Sequence, residues 1–307
     1  MRSGGVFMPR LLLHGLLRYP AAQRPLPGGP TSRTLSQTAS SNGVELFTDR
    51  HQADAYARWR PTYPPALYAD QIYRRVQGFG LAVDVATGSG QVAAQLAKKF
   101  DRVVATDPSR QQLEQAPRLP NVTYSVGTAE SIDLPPSSAD LITVGNGLHW
   151  LDLPKFYAEC RRVLKPRGTV AAWGYGLFKV PSHPKATEAL LKLHTVTLGP
   201  YWDKRRKLLD SGYKGMEPAR SAEFEQVERE TMMMESDSSI HAVMGYLASW
   251  SSYATYKKML GDKGKDPLVD FKEEFMASLG ATEDSHAIHI VRPLSLIIAT
   301  GPNKGRS

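Results

Sequence analysis

Between residues 81 and 175 short apolar bursts alternate with stretches of helical spacing. The run LAVDVAT (81–87) is apolar almost throughout and predicts a buried strand. QVAAQLAKKF then carries helical spacing, and RVVATD (102–107) predicts a second strand. SRQQLEQA predicts a short helix with Ser109 as its N-cap. Further strands are predicted at VTYSV, at ADLITVG (139–145) and at GTVAAWGY (168–175). Before the last of these, LPKFYAECRRVL places Phe156, Cys160, Val163 and Leu164 on one helical face. Two later strands are expected at about 222–229 and 286–299. Strand–helix repetition of this kind predicts an α/β fold, a parallel sheet with helices on both faces. An aromatic-rich helical region from about Gln52 to Val76, broken at Pro61 and Pro64-Pro65, precedes it. The helical stretches HPKATEALLKLHTVTLG and SSIHAVMGYLASWSSYATYKKML fit the repeat poorly. They read as additions over the carboxyl-terminal edge of the sheet, where ligands bind in open α/β sheets.

The charge changes this picture only at one end. The chain has 307 residues and a net charge of +8. Residues 1–44 hold five arginines and no acid, which leaves 33 basic against 30 acidic residues in the rest. No basic stripe with interleaved aromatics remains, so the composition argues against a nucleic-acid partner. The acid-free, Arg- and Ser-rich leader has the composition of a mitochondrial transit peptide, with a disordered leader in a cytoplasmic protein as the alternative. Its apolar stretch is too short to span a bilayer, so no membrane insertion is expected. Cys160 is the single cysteine, which rules out an intramolecular disulfide. The domain assignment is therefore a leader over 1–44, one catalytic domain over 45–301 with cap segments at about 176–221 and 236–280, and a tail over 302–307.

VDVATGSGQVA (83–93) carries the chemistry. Gly88 to Ala93 satisfies the dinucleotide spacing G-x-G-x-x-G/A. Asp84 ends the strand four residues before Gly88, where it would confront a pyrophosphate. Like charges 4 Å apart repel by about 1 kcal/mol in water and about 4 near a protein surface. A dehydrogenase has reason to avoid an acid there. A ligand with a sulfonium and an α-ammonium, such as S-adenosylmethionine, has the opposite preference.

With these residues the chain resembles a class I S-adenosylmethionine-dependent methyltransferase, and is most similar to the group that includes trans-aconitate methyltransferase and its small-molecule relatives. VDVATGSGQ matches the first motif, with Ala86 where glycine is usual. Alanine tolerates that turn if φ stays negative. ATDPS matches the second motif and puts Asp107 at the end of the second strand, 17 residues after Gly90. GTAESIDLP, NGLHWLD, RRVLKPRG, YARWRPTYP and GPYWDKRRKLLDSGY resemble the adenine-side segment, the segment after strand four, the entry to strand five, the amino-terminal element and part of the cap. The resemblance covers about residues 46–300. It implies a Rossmann-like seven-stranded sheet with helical cap insertions, S-adenosyl-L-methionine as cofactor, a small-molecule acceptor and no metal.

The expected cofactor residues are Asp84, Ala86, Gly88, Gly90, Asp107, Ala129 and Glu130. Asp107 would accept both ribose hydroxyls, or else cap the next helix. Ala129 and Glu130 would lie beside the adenine, or on an exposed turn. His149 is the candidate catalytic group, as base, oxygen positioner or structural histidine. Trp150 would project at the same edge or pack beneath the cap. Tyr56, Arg60 and Tyr63 are candidate lid residues. Tyr201, Trp202, Arg205 and Arg206 are candidate substrate contacts, because a guanidinium fork suits a carboxylate. The alternative for both arginines is a solvated charge run. The resemblance implies O-methylation of a carboxylate, with a phenolic or quinone-pathway acceptor and a catalytically silent cofactor-binding subunit as rivals.

Overall fold

The computed structural model describes residues 58–260 and 265–304. The leader and Tyr56 lie outside them. Seven strands form one sheet: β1 Leu81–Val85, β2 Arg102–Asp107, β3 Val122–Val126, β4 Ala139–Gly145, β5 Leu164–Tyr175, β6 Phe224–Ser239 and β7 Ala287–Pro302. Their order is β3-β2-β1-β4-β5-β7-β6. β3, β2, β1, β4 and β5 are parallel, whereas β7 runs antiparallel to β5 and to β6. The expected seven-stranded sheet is thus parallel through β5 and closes with the antiparallel strands β7 and β6. β6 and β7 pair antiparallel from Phe224–Pro302 to Ser239–Ala287, although three helices lie between them in the chain.

The pleat sends alternate residues to opposite faces. Leu81, Val83 and Val85 pack with Ile142, Val144, Phe156 and Cys160; Ala82 packs on the other face with Leu141, Ala171 and Trp173. All five residues of β1 are buried. Three short connections carry helices: α1 Gln91–Leu96, α2 Arg110–Glu114 and α3 Leu153–Val163. The Ser109 hydroxyl accepts from Gln112 N–H at 3.3 Å, the expected cap of α2. In α3, Phe156, Cys160 and Val163 are wholly buried, and burial pushes the Cys160 thiol well above its ordinary pKa.

The remaining helices are α4 Pro184–Lys192, α5 Arg206–Asp210, α6 Ile240–Ala248, α7 Ser251–Leu260 and α8 Pro267–Leu279. α4, α6 and α8 join the core on the Trp173 face, and Trp202 packs there too. Leu209, Tyr213 and Met216 join the opposite face. Residues 203–206 therefore cross from one face to the other. They do so over the carboxyl-terminal ends of β4 and β5, because Arg205 stacks on Trp150 and a side chain on Gly174 would meet Leu209 and Tyr213. Among the described residues no helix is long and apolar enough to cross a membrane.

Candidate active site

The chain leaves β1 through Ala86, Gly88 and Gly90, with φ of 51°, 56° and 76°. The expectation that Ala86 keeps a negative φ is corrected: the turn requires the left-handed region at Ala86 as well. A side chain there costs about 1–2 kcal/mol. Ala86→Gly is expected to stabilise the protein by up to about 1 kcal/mol, after the added flexibility of the unfolded chain. Urea unfolding checks this as a raised midpoint at constant slope. Gly90 cannot be replaced so easily. A Cβ there would lie 2.7 Å from the Tyr124 hydroxyl. Above Gly88, a Cβ would meet only the Gln112 side-chain oxygen, at 3.8 Å.

Two acids hold this loop. Asp107 Oδ2 accepts from Gly88 N–H and its Oδ1 from Ser109 N–H, both at 2.8 Å. Each oxygen keeps a lone pair. Asp84 is fully buried, accepting from Thr87 Oγ1 at 2.5 Å and from Thr143 Oγ1 at 2.7 Å. It sits beneath the loop rather than on its surface. Burial raises its pKa to about 7 against the pull of both hydroxyls, and the Asp107 carboxylate adds to the rise. Gln112 Oε1, on α2, and Asn146 Oδ1, just past β4, are buried without hydrogen-bond partners. Ala129 is buried; the Glu130 carboxylate accepts from Asp152 N–H at 2.9 Å, which ties the segment after β3 to the start of α3.

Past β4, Asn146 takes φ of 65° and the chain turns through Leu148–Trp150. His149 is buried, with Nδ1 3.1 Å from the Tyr213 hydroxyl and its ring 4.7 Å from that of Trp150. Tyr213 itself has φ of 60° and is wholly buried. Burial first, then Arg206, Arg205 and Arg60, outweigh Asp203 and lower the His149 pKa to about 3. The ring is neutral at physiological pH.

Arg60 donates to the Tyr175 hydroxyl at 3.2 Å and the Ser249 carbonyl at 3.3 Å, joining β5 to the end of α6. Tyr63 meets Trp173 edge-on at 5.4 Å. Neither cap arginine is a solvated charge. Arg205 pairs with Asp203 at 3.2 Å and covers Trp150 at 4.7 Å. Arg206 pairs with Asp210 at 2.8 Å and covers Trp202 at 4.5 Å. Trp202 Nε1 donates to the His194 carbonyl, and Tyr201 packs edge-on against Tyr256. The structure thus gathers His149, Trp150, Arg60, Arg205 and Arg206 around one edge, while Tyr201 faces α7. Thr143 and Tyr213 were missed by sequence reasoning. Thr143 does leave a signal, as a polar residue in an otherwise apolar strand.

Comparison with known proteins decides the family. A methyltransferase domain family matches residues 83–172. A Dictyostelium discoideum protein described as a methyltransferase is 36% identical over 247 residues, covering 80% of this chain and 91% of that protein. The chain belongs to the S-adenosylmethionine-dependent methyltransferases. A solved type II methyltransferase structure from Anaeromyxobacter dehalogenans is similar as well, with a TM-score of 0.67, 33% identity, and 78% of this chain and 97% of that one covered. The methyltransferase cfoB of Aspergillus candidus is 30% identical over 201 residues, 56% of this chain and 62% of that protein.

The loop of this methyltransferase fits S-adenosylmethionine, its cofactor. Asp107 offers a carboxylate with an unused lone pair on each oxygen, suited to a vicinal diol. Space stands open above Gly88, beside the unpartnered Gln112 oxygen. Asp84 places an ionisable carboxyl under the loop. When bound, the cofactor supplies an electrophilic methyl group on a good leaving group. The methyltransferase is of the type that acts on small molecules.

Proposed function

We propose that this methyltransferase esterifies a carboxylate oxygen of its acceptor. The reading rests on the surroundings of His149. A ring with a pKa of about 3 is a poor base near neutral pH. A phenol, with a pKa near 10, needs its proton taken as transfer proceeds; a carboxylic acid, near 4, is already ionised. The same field that suppresses the His149 proton, from Arg206, Arg205 and Arg60, favours an anion at this edge. The resemblance to the trans-aconitate methyltransferase group supports the same acceptor class. The protein's task is then to orient the carboxylate and exclude water, and orientation alone can lower a barrier by roughly 7–11 kcal/mol. His149 serves as a neutral hydrogen-bonding group, held by Tyr213.

The test uses labelled S-adenosylmethionine with a panel of organic acids and phenols. The expected product is a methyl ester, released by mild alkali. Turnover should be nearly flat from about pH 6.5 to 8.5, and His149→Ala should cost less than about tenfold in kcat. An alkali-stable ether, with a rate that climbs with pH and falls about 10²–10⁴-fold in His149→Ala, would overturn the reading.

A further inference from the structure

Arg292 occupies a position in β7 that belongs to the core. Ile288, Ile290, Leu294 and Leu296 share its side of the strand, and all are buried. Arg292 is only 4% exposed. Its guanidinium carbon stands 5.5 Å from the Tyr175 ring centre, 5.5 Å from that of Phe178 and 5.2 Å from that of Tyr246. Nη1 is buried without a hydrogen-bond partner, and no carboxylate among the described residues pairs with it. Ring faces attract a cation, but they do not replace the hydrogen bonds that a buried guanidinium loses on leaving water. A buried guanidinium with its Nη1 left without an acceptor has the chemistry of an anion site.

Arg292 also lines a cavity of about 410 Å³, a size suited to a small organic ligand. Trp59, Tyr63, Phe178, Val243 and Tyr246 supply much of the wall. Trp59 is seated against α6 because residue 245 is glycine; a Cβ there would lie 2.4 Å from the indole. Glu235 and Asp237 stand among the exposed lining residues, where both approach His289 rather than Arg292. The arrangement suits a ligand that is anionic where it meets Arg292 and apolar where it meets the rings.

We propose that the cavity binds an alkyl or aryl carboxylate, with the carboxylate on Arg292 and the apolar body against Trp59, Tyr63 and Phe178. The site adjoins the methyl-transfer edge, because Tyr175 and Tyr246 contact both Arg292 and Arg60. The assignment stands independently of which acceptor atom is methylated.

The experiment is calorimetric titration of the full chain with octanoate, benzoate, inorganic phosphate and benzylamine. Octanoate and benzoate should saturate one site, and benzylamine should not bind. Arg292→Met should weaken octanoate at least tenfold, Arg292→Lys less, and both should leave S-adenosylmethionine affinity within about twofold. If Arg292→Met fails to fold, Ala242→Phe provides the second variant, because Ala242 lines the cavity and the larger ring fills it. It should abolish octanoate binding with Arg292 intact. Unchanged octanoate affinity in Arg292→Met or Ala242→Phe would overturn the proposal. So would benzylamine binding as tightly as benzoate. Phosphate binding as tightly as octanoate would overturn the role of the apolar walls.

Discussion

Asp107→Ala is expected to cost the protein most of its affinity for S-adenosylmethionine. The substitution removes a charged acceptor that suits two ribose hydroxyls, and hydrogen bonds to charged groups contribute about 1.5–3 kcal/mol each. Two of them correspond to roughly 10²–10⁴-fold in affinity. The same carboxylate fixes Gly88 N–H and Ser109 N–H, so alanine also loosens the loop. A fall in thermal stability should accompany the loss of binding. Asp107→Asn keeps one carbonyl acceptor and should fall between alanine and wild type. Calorimetry with S-adenosylmethionine and S-adenosylhomocysteine measures both. Wild-type affinity in a folded Asp107→Ala protein would remove Asp107 from the cofactor site.

The second large effect is a pH dependence set by Asp84. Its folded pKa, about 7, lies above the value of 3.8 expected for an unhindered carboxyl. The folded protein therefore retains a proton that the unfolded chain releases on passing pH 4. Stability from this group is complete below about pH 4 and is lost as pH rises through about 7. Asp84→Asn removes that dependence and should raise the melting temperature relative to wild type at pH 8, without a comparable gain at pH 5. Ligand binding should show the opposite sense. A nearby sulfonium favours the ionised carboxylate, so preference for S-adenosylmethionine over its uncharged-sulfur product should grow between pH 5.5 and 8. One unit of pKa change corresponds to about tenfold. A preference that does not change with pH in wild type would sink this assignment of Asp84.

β2 and β4 were readable because each is a short apolar run closed by a polar residue or glycine. β2 ends at Asp107, β3 at Val126 and β4 at Gly145, as their patterns predict. β6 was not readable beyond residue 229. It is an edge strand in which Phe224 and Met234 are the only buried residues, so no alternation marks it. Pairing with β7 carries it on to Ser239. The acids and glycines of the loop were legible from spacing, but their bonding was not. Asp84 lies under the loop because Thr87 and Thr143 draw it inward, and Thr143 is 59 residues away in the chain. The cap arginines were legible as charges only. Their partners, Asp203 and Asp210, stand two and four residues from them. Arg292 shows the reverse case, a cation hidden in an apolar register whose meaning appears only once three distant rings surround it.

The burial of Cys160 has a practical use. It is the single sulfhydryl of the chain, and α3 seals it in the core with its thiolate strongly disfavoured. Alkylating reagents react with thiolates, so the native protein is nearly blank to them. An introduced cysteine at Met259 on α7, 70% exposed, and another at Val126 on β3, 52% exposed, would take a spin label or dye against almost no background. One label would then report from the helical layer and one from the far edge of the sheet. The distance between them, followed with and without cofactor, gives a direct ruler for any displacement of that layer during the catalytic cycle.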